Sequence, residues 1–122
     1  MKLLLVCLLI LCGQNAYAVT YGATGTVATV QMDDPATIHT PFPNGTADDF
    51  FLLSGFSSAG SCGVGGPTNG VVLAVKKDTT GKRMFATALL AMSLGKTVTV
   101  YVDDTIRNAN SYCYVVAASL NP

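Results

Sequence analysis

The chain has 122 residues, half of them hydrophobic, with 7 Lys and Arg against 7 Asp, no Glu, no Trp and a single His. That length supports one domain with one modest core. The missing basic excess argues against nucleic acid as a partner, and one His without Glu is a thin inventory for acid–base catalysis.

Residues 1–18 read as a secretory leader. Lys2 supplies a positive start, Leu3 to Leu11 an apolar run, and Ala16-Tyr17-Ala18 an A-x-A cleavage site. The run is shorter than the ~20 residues of a membrane span, and no later segment is long enough. A lipoprotein cut at Cys12 would want a small residue where Leu11 stands. Cleavage after Ala18 leaves 19–122 as a single secreted domain, extracellular or periplasmic. It removes Cys7 and Cys12 and leaves Cys62 and Cys113. Two cysteines in an oxidising compartment most simply form one disulfide. Closing that loop contributes about 4 kcal/mol on the loop-entropy model. The alternative, a catalytic thiol at Cys62 with His39 as base, lacks a third orienting group.

Thr26–Met32 is rich in Thr and Val and predicts a first strand, with Gly22 and Gly25 as interruptions before it. Three prolines and Asn44-Gly45 make 35–47 a loop with a tight turn. Asn44-Gly45-Thr46 is also a glycosylation sequon. Phe50–Phe56 is an apolar second strand, Ser57–Gly70 a Gly/Ser-rich loop, and Val71–Val75 a short buried third strand. The period then changes. Lys82–Leu94 is the one good helix, with Asp78 or Thr80 as cap and Gly95 as stop. Thr97–Val102 alternates strictly, placing Val98, Val100 and Val102 on one side and Thr97, Thr99 and Tyr101 on the other. Asp103-Asp104 closes that strand, and Tyr112–Ala118 is the last.

The order β-β-β-α-β-β makes the chain mainly β. It is the order of an OB-fold, a small, partly open Greek-key barrel with one helix; a generic α+β sheet has the same element count. On the helix, Met84, Phe85, Ala88, Leu89, Ala91 and Met92 gather on one arc that can dock on a sheet. Leu90 and Leu94 fall nearly opposite, with Arg83 on the same stripe. That stripe is either a subunit interface or an exposed face of a monomer.

Several motifs tempt and fail. Gly95-Lys96-Thr97 resembles the end of a P-loop, but Leu90 stands where the first glycine belongs, and the segment leads from helix to strand. Asp pairs at 33–34, 48–49 and 103–104 sit beside predicted strand ends, where Asp is an ordinary turn residue. A zinc site at His39 would need more ligands than the chain offers. No metal, cofactor or catalytic constellation is expected.

Ser58-Ala59-Gly60-Ser61 leading to Cys62, the helix segment Phe85-Ala86-Thr87-Ala88-Leu89-Leu90, the run Gly95–Tyr101 and a second cysteine before the last strand carry a resemblance. From Phe50 to Leu120 the chain resembles small secreted bacterial proteins that include the sugar-binding B subunits of subtilase-cytotoxin, typhoid and pertussis-type AB toxins. The resemblance implies an OB-fold with one internal disulfide. It also implies a homo-pentamer with the helices lining its centre, which would give Arg83, Leu90 and Leu94 a partner. A hydroxyl on the first strand and nearby aromatic groups would bind a glycan or glycoprotein receptor. The matching positions here are Thr24, where a serine is expected, and Tyr101. A binding module is therefore the leading expectation, and a secreted inhibitor or other protein-binding domain is the alternative.

Overall fold

A computed structural model describes residues 19–32 and 48–122. The leader, His39, Asn44 and the Asp33-Asp34 pair lie outside the described residues. The elements run β1 (Thr20–Gln31), β2 (Asp49–Leu53), β3 (Val64–Gly65), β4 (Gly70–Val71), β5 (Leu73–Val75), α1 (Thr79–Leu94), β6 (Thr97–Arg107) and β7 (Cys113–Leu120). The described residues are mainly β with one helix. Pairing runs β1-β2-β5-β7-β6 and closes back on β1, while β3 and β4 form a separate hairpin. All pairs in the ring are antiparallel except β5 with β7, which is parallel.

β1 begins well before Thr26, because its glycines are places of close approach rather than breaks. A Cβ at Gly22 would lie 2.7 Å from the Tyr101 ring, and one at Gly25 would lie 2.7 Å from the Ser54 carbonyl oxygen. The strand serves two partners. Thr20–Thr26 pair with β6, and Val27–Gln31 pair with β2, with a register shift between Val27 and Thr29. Such a bulge bends the strand and raises its twist, which lets one strand turn from one neighbour to the other.

β2 and the segment 71–75 are apolar without alternation because both of their faces are covered. Phe51, Leu53, Val71, Leu73 and Val75 join the main core with Val98, Val100 and Val102. Phe50, Leu52, Val72 and Ala74 form a second cluster, backed by Tyr112 and Tyr114. Phe50 meets Tyr112 edge-on, with ring centroids 5.7 Å apart. The predicted loop 57–70 holds part of the β3–β4 hairpin, turned through Gly66 and Asn69, both at positive φ.

β6 runs past Asp103-Asp104, where a stop was expected. Asp103 Oδ1 accepts from the Thr105 amide at 2.8 Å and the Thr105 hydroxyl at 2.6 Å. The turn chemistry is absorbed as a register irregularity between Val102 and Arg107.

α1 starts at Thr79, three residues before the predicted Lys82. Asp78 is its N-cap, accepting from the Gly81 amide at 2.7 Å. Gly95 ends it in the left-handed conformation, and the amides of Gly95 and Lys96 return to Met92 and Ala91. The helix buries only Gly81, Phe85, Ala88 and Ala91. Leu89 and Met92, expected on the buried arc, are 38% and 45% exposed. Leu89 lies at the edge of that arc, whereas Met92 falls within it, between Ala88 and Phe85, but in the last turn of α1.

Cys62 and Cys113 form a disulfide, with Cα atoms 5.2 Å apart. It ties the glycine-rich segment to β7 at the point where Cys113 pairs with Leu73 of β5. A bonded Cys62 is not a nucleophile, so the thiol alternative falls.

Candidate functional site

The outer face of β1 and β6 is set by register. Gly22 pairs with Tyr101, Thr24 with Thr99 and Thr26 with Thr97. Paired residues of antiparallel strands point to the same side. The intervening Val98, Val100 and Val102 are fully buried, so Thr97, Thr99 and Tyr101 must face out, and Thr24 and Thr26 share their face. β7 extends it through Ala117 beside Tyr101 and Ser119 beside Thr99.

The polar groups of this face bond to one another. The Thr24 and Thr99 hydroxyl oxygens lie 2.7 Å apart. The Asn121 side-chain amide donates to the Thr97 hydroxyl at 3.0 Å and to the Thr99 hydroxyl at 3.1 Å. The Asn121 backbone amide donates to the Thr97 carbonyl, which fixes the residue beyond the end of β7. At the other edge, the Thr26 hydroxyl donates to Ser54 Oγ at 3.2 Å. Tyr101 is 44% exposed, and its ring occupies the space a side chain at Gly22 would need. The row from Gly22 to Asn121 carries no charged side chain. Neutral hydroxyls and an amide can each donate and accept, and the ring adds an apolar platform.

Thr24 and Tyr101 are thus diagonal neighbours on one face, as residues two apart across an antiparallel pair must be. Thr99 and Asn121 were missed. The alternation of 97–102 already put Thr99 beside Tyr101, but its contact with Thr24 depends on a register 75 residues apart in sequence. Asn121 follows the last strand, and nothing local marks it. Arg83, Leu90 and Leu94 lie elsewhere, exposed on α1.

Among the described residues, Asp48, Asp49, Asp103 and Asp104 each have polar partners. Asp48 accepts from the Tyr114 hydroxyl at 2.8 Å and from Asn108 at 3.3 Å. Burial, then the hydrogen bond and negative charge of Asp48, push the Tyr114 phenol up to about 12. Asp49 meets Lys77 at 3.7 Å. Hydrogen bonds from the Thr105 hydroxyl and amide hold Asp103 below the usual carboxylate range. The Ser61 hydroxyl donates to the Asp104 carbonyl at 3.2 Å, and Arg107 donates to the Ser61 carbonyl at 3.3 Å. Among the described residues, no group of three or more His, Cys, Asp or Glu could hold a metal ion, and no helix is long and apolar enough to cross a membrane.

Comparison with family models, curated proteins and solved structures returned no match.

Proposed function

We propose that this chain is a secreted, non-enzymatic binding module with an OB-fold, and that the Thr24–Tyr101 face binds a glycan. The cyclic order β1-β2-β5-β7-β6, with the helix between the third and fourth strands of the ring, is the order that an OB-fold requires and supports the fold assignment. The observation that carries the ligand assignment is the pairing of an exposed ring with an uncharged row of mutually bonded hydroxyls. The C–H face of a sugar stacks on Tyr101, and its hydroxyls exchange bonds with Thr24, Thr99 and Asn121. Because those side chains already hold one another, little side-chain freedom is lost on binding.

The exposed apolar side chains of α1 support a homo-oligomer as the working form. Leu90 and Leu94 are 49% and 57% exposed, and Arg83 shares their stripe. In a ring of copies, this stripe is buried between subunits and the sugar faces repeat, so weak single sites combine.

A glycan array probed with the disulfide-bonded protein tests the reading. The expected result is binding to a restricted set of glycans, reduced about tenfold or more by Tyr101→Ala, as loss of a stacking contact implies. Thr24→Ala should weaken the same set. A protein-binding domain instead gives no glycan signal, and that result, or binding unchanged in Tyr101→Ala, overturns the reading.

A further inference from the structure

A cleft of about 240 Å³ lies where the first turns of α1 face β6 and β7. It shares no lining residue with the Thr24–Tyr101 face. Met84, Ile106, Val115 and Val116 give it apolar walls, and Lys76, Asp78 and Thr80 supply its charged and hydroxyl groups. Ile106 and Val116 are 40% and 44% exposed, so covering them with an apolar chain removes hydrocarbon from water. The volume is below the roughly 300–1,000 Å³ of sites that enclose a whole drug-sized molecule. It suits a short aliphatic chain.

The polar groups select the head of that chain. The Lys76 ammonium lies over the Tyr114 ring, 5.0 Å from its centroid. Among the described residues it meets no carboxylate at ion-pair distance. Tyr114 is itself held by its bond to Asp48. Asp78 is committed to the Gly81 amide as the helix cap. Lys76 is held at the cleft by its backbone, which packs so closely on the first turn of α1 that a side chain at Gly81 would collide with the Lys76 carbonyl. The lining therefore sets an ammonium with no carboxylate partner near one carboxylate that keeps its charge. With Asp78 still charged, the second negative charge of a phosphate monoester adds repulsion that a singly charged head avoids.

The geometry points to a second binding site here, for a short-chain aliphatic carboxylate. Its tail lies against Met84, Ile106 and Val116, and its carboxylate pairs with Lys76. Titration of the disulfide-bonded protein with octanoate, followed by methyl NMR, tests this. Saturable shifts are expected at the Met84, Ile106, Val115 and Val116 methyls. Octanol should bind about tenfold more weakly, since it lacks the charge-assisted bond. Lys76→Gln should erase the preference for octanoate over octanol. Ile106→Asn, at an exposed position, should weaken both. The absence of saturable shifts at these methyls overturns the proposal. So do larger shifts at Leu90 and Leu94, equal binding of octanol, or an octanoate preference that survives Lys76→Gln.

Discussion

A methyl group added at Gly22 and one added at Gly25 would meet different obstacles, although both are 2.7 Å away. At Gly22 the obstacle is the Tyr101 ring, a half-exposed side chain that can swing outward. At Gly25 it is the Ser54 carbonyl, part of a backbone whose amide is bonded to Thr26 at 2.9 Å. Gly25→Ala should therefore cost about 1–3 kcal/mol in urea unfolding, and Gly22→Ala well under 1 kcal/mol. The order reverses for ligand: Gly22→Ala displaces the platform and should lower glycan binding as Tyr101→Ala does. Tyr114 yields a second residue-scale prediction. Its phenol should titrate near 12 by ultraviolet absorbance. Asp48→Asn should bring it only partway down, because burial is the larger cause. A phenol raised in the folded state favours folding below the unfolded value of about 10. That contribution is lost as pH rises from there through about 12.

Helix α1 is bounded by two independent devices. Asp78→Ala should cost about 1 kcal/mol of stability through the lost N-cap. Gly95→Ala should cost about 1–2 kcal/mol, because φ is 62° there. Both are measurable by chemical denaturation. The stop at Gly95 was legible in the sequence because caps are local chemistry, as was the alternation of 97–102; at the start Asp78 was one of two candidate caps, and the helix begins three residues before the expected Lys82. The breadth of the buried arc was not legible. Helical periodicity says which residues share a side, but the width and length of the surface beneath decide how many are covered: Leu89 lies at the arc's edge and Met92 in the last turn, and both are exposed. β1 was half legible, since a glycine in a strand reads as a break until the ring or carbonyl that fills its space is known. The Asp103-Asp104 stop misled for a related reason: Asp103 makes its turn bonds to Thr105 inside a bulge, so the strand continues. The exposed side of α1 carries its own prediction. Leu90→Glu with Leu94→Glu should leave monomer stability within about 0.5 kcal/mol, as for other surface changes, while light scattering shows oligomers lost. A wild-type protein that stays monomeric at high concentration removes the interface.

For the whole molecule, the ring of strands depends on a short junction. β5 and β7 pair only through Leu73 with Cys113 and Ala74 with Tyr114, and the disulfide sits at that junction. Replacing both cysteines by Ser should cost about 4 kcal/mol, a large share of the ~5–15 kcal/mol available to a small domain. The intact protein should weigh two hydrogens less than its reduced form. The candidate face lies on the opposite side of the ring order, where β1 meets β6. It draws on β1, β6 and β7 and on the residues that follow β2 and β7. Single residues of it could be read from sequence, but their convergence required the register of two strand pairs. The most direct test of the central claim is amide NMR of the disulfide-bonded protein titrated with an array-positive glycan. Saturable shifts should centre on Thr24, Thr99, Tyr101 and Asn121 and vanish in Tyr101→Ala. Shifts centred on α1 or on the 57–70 segment, with that face unmoved, would contradict it.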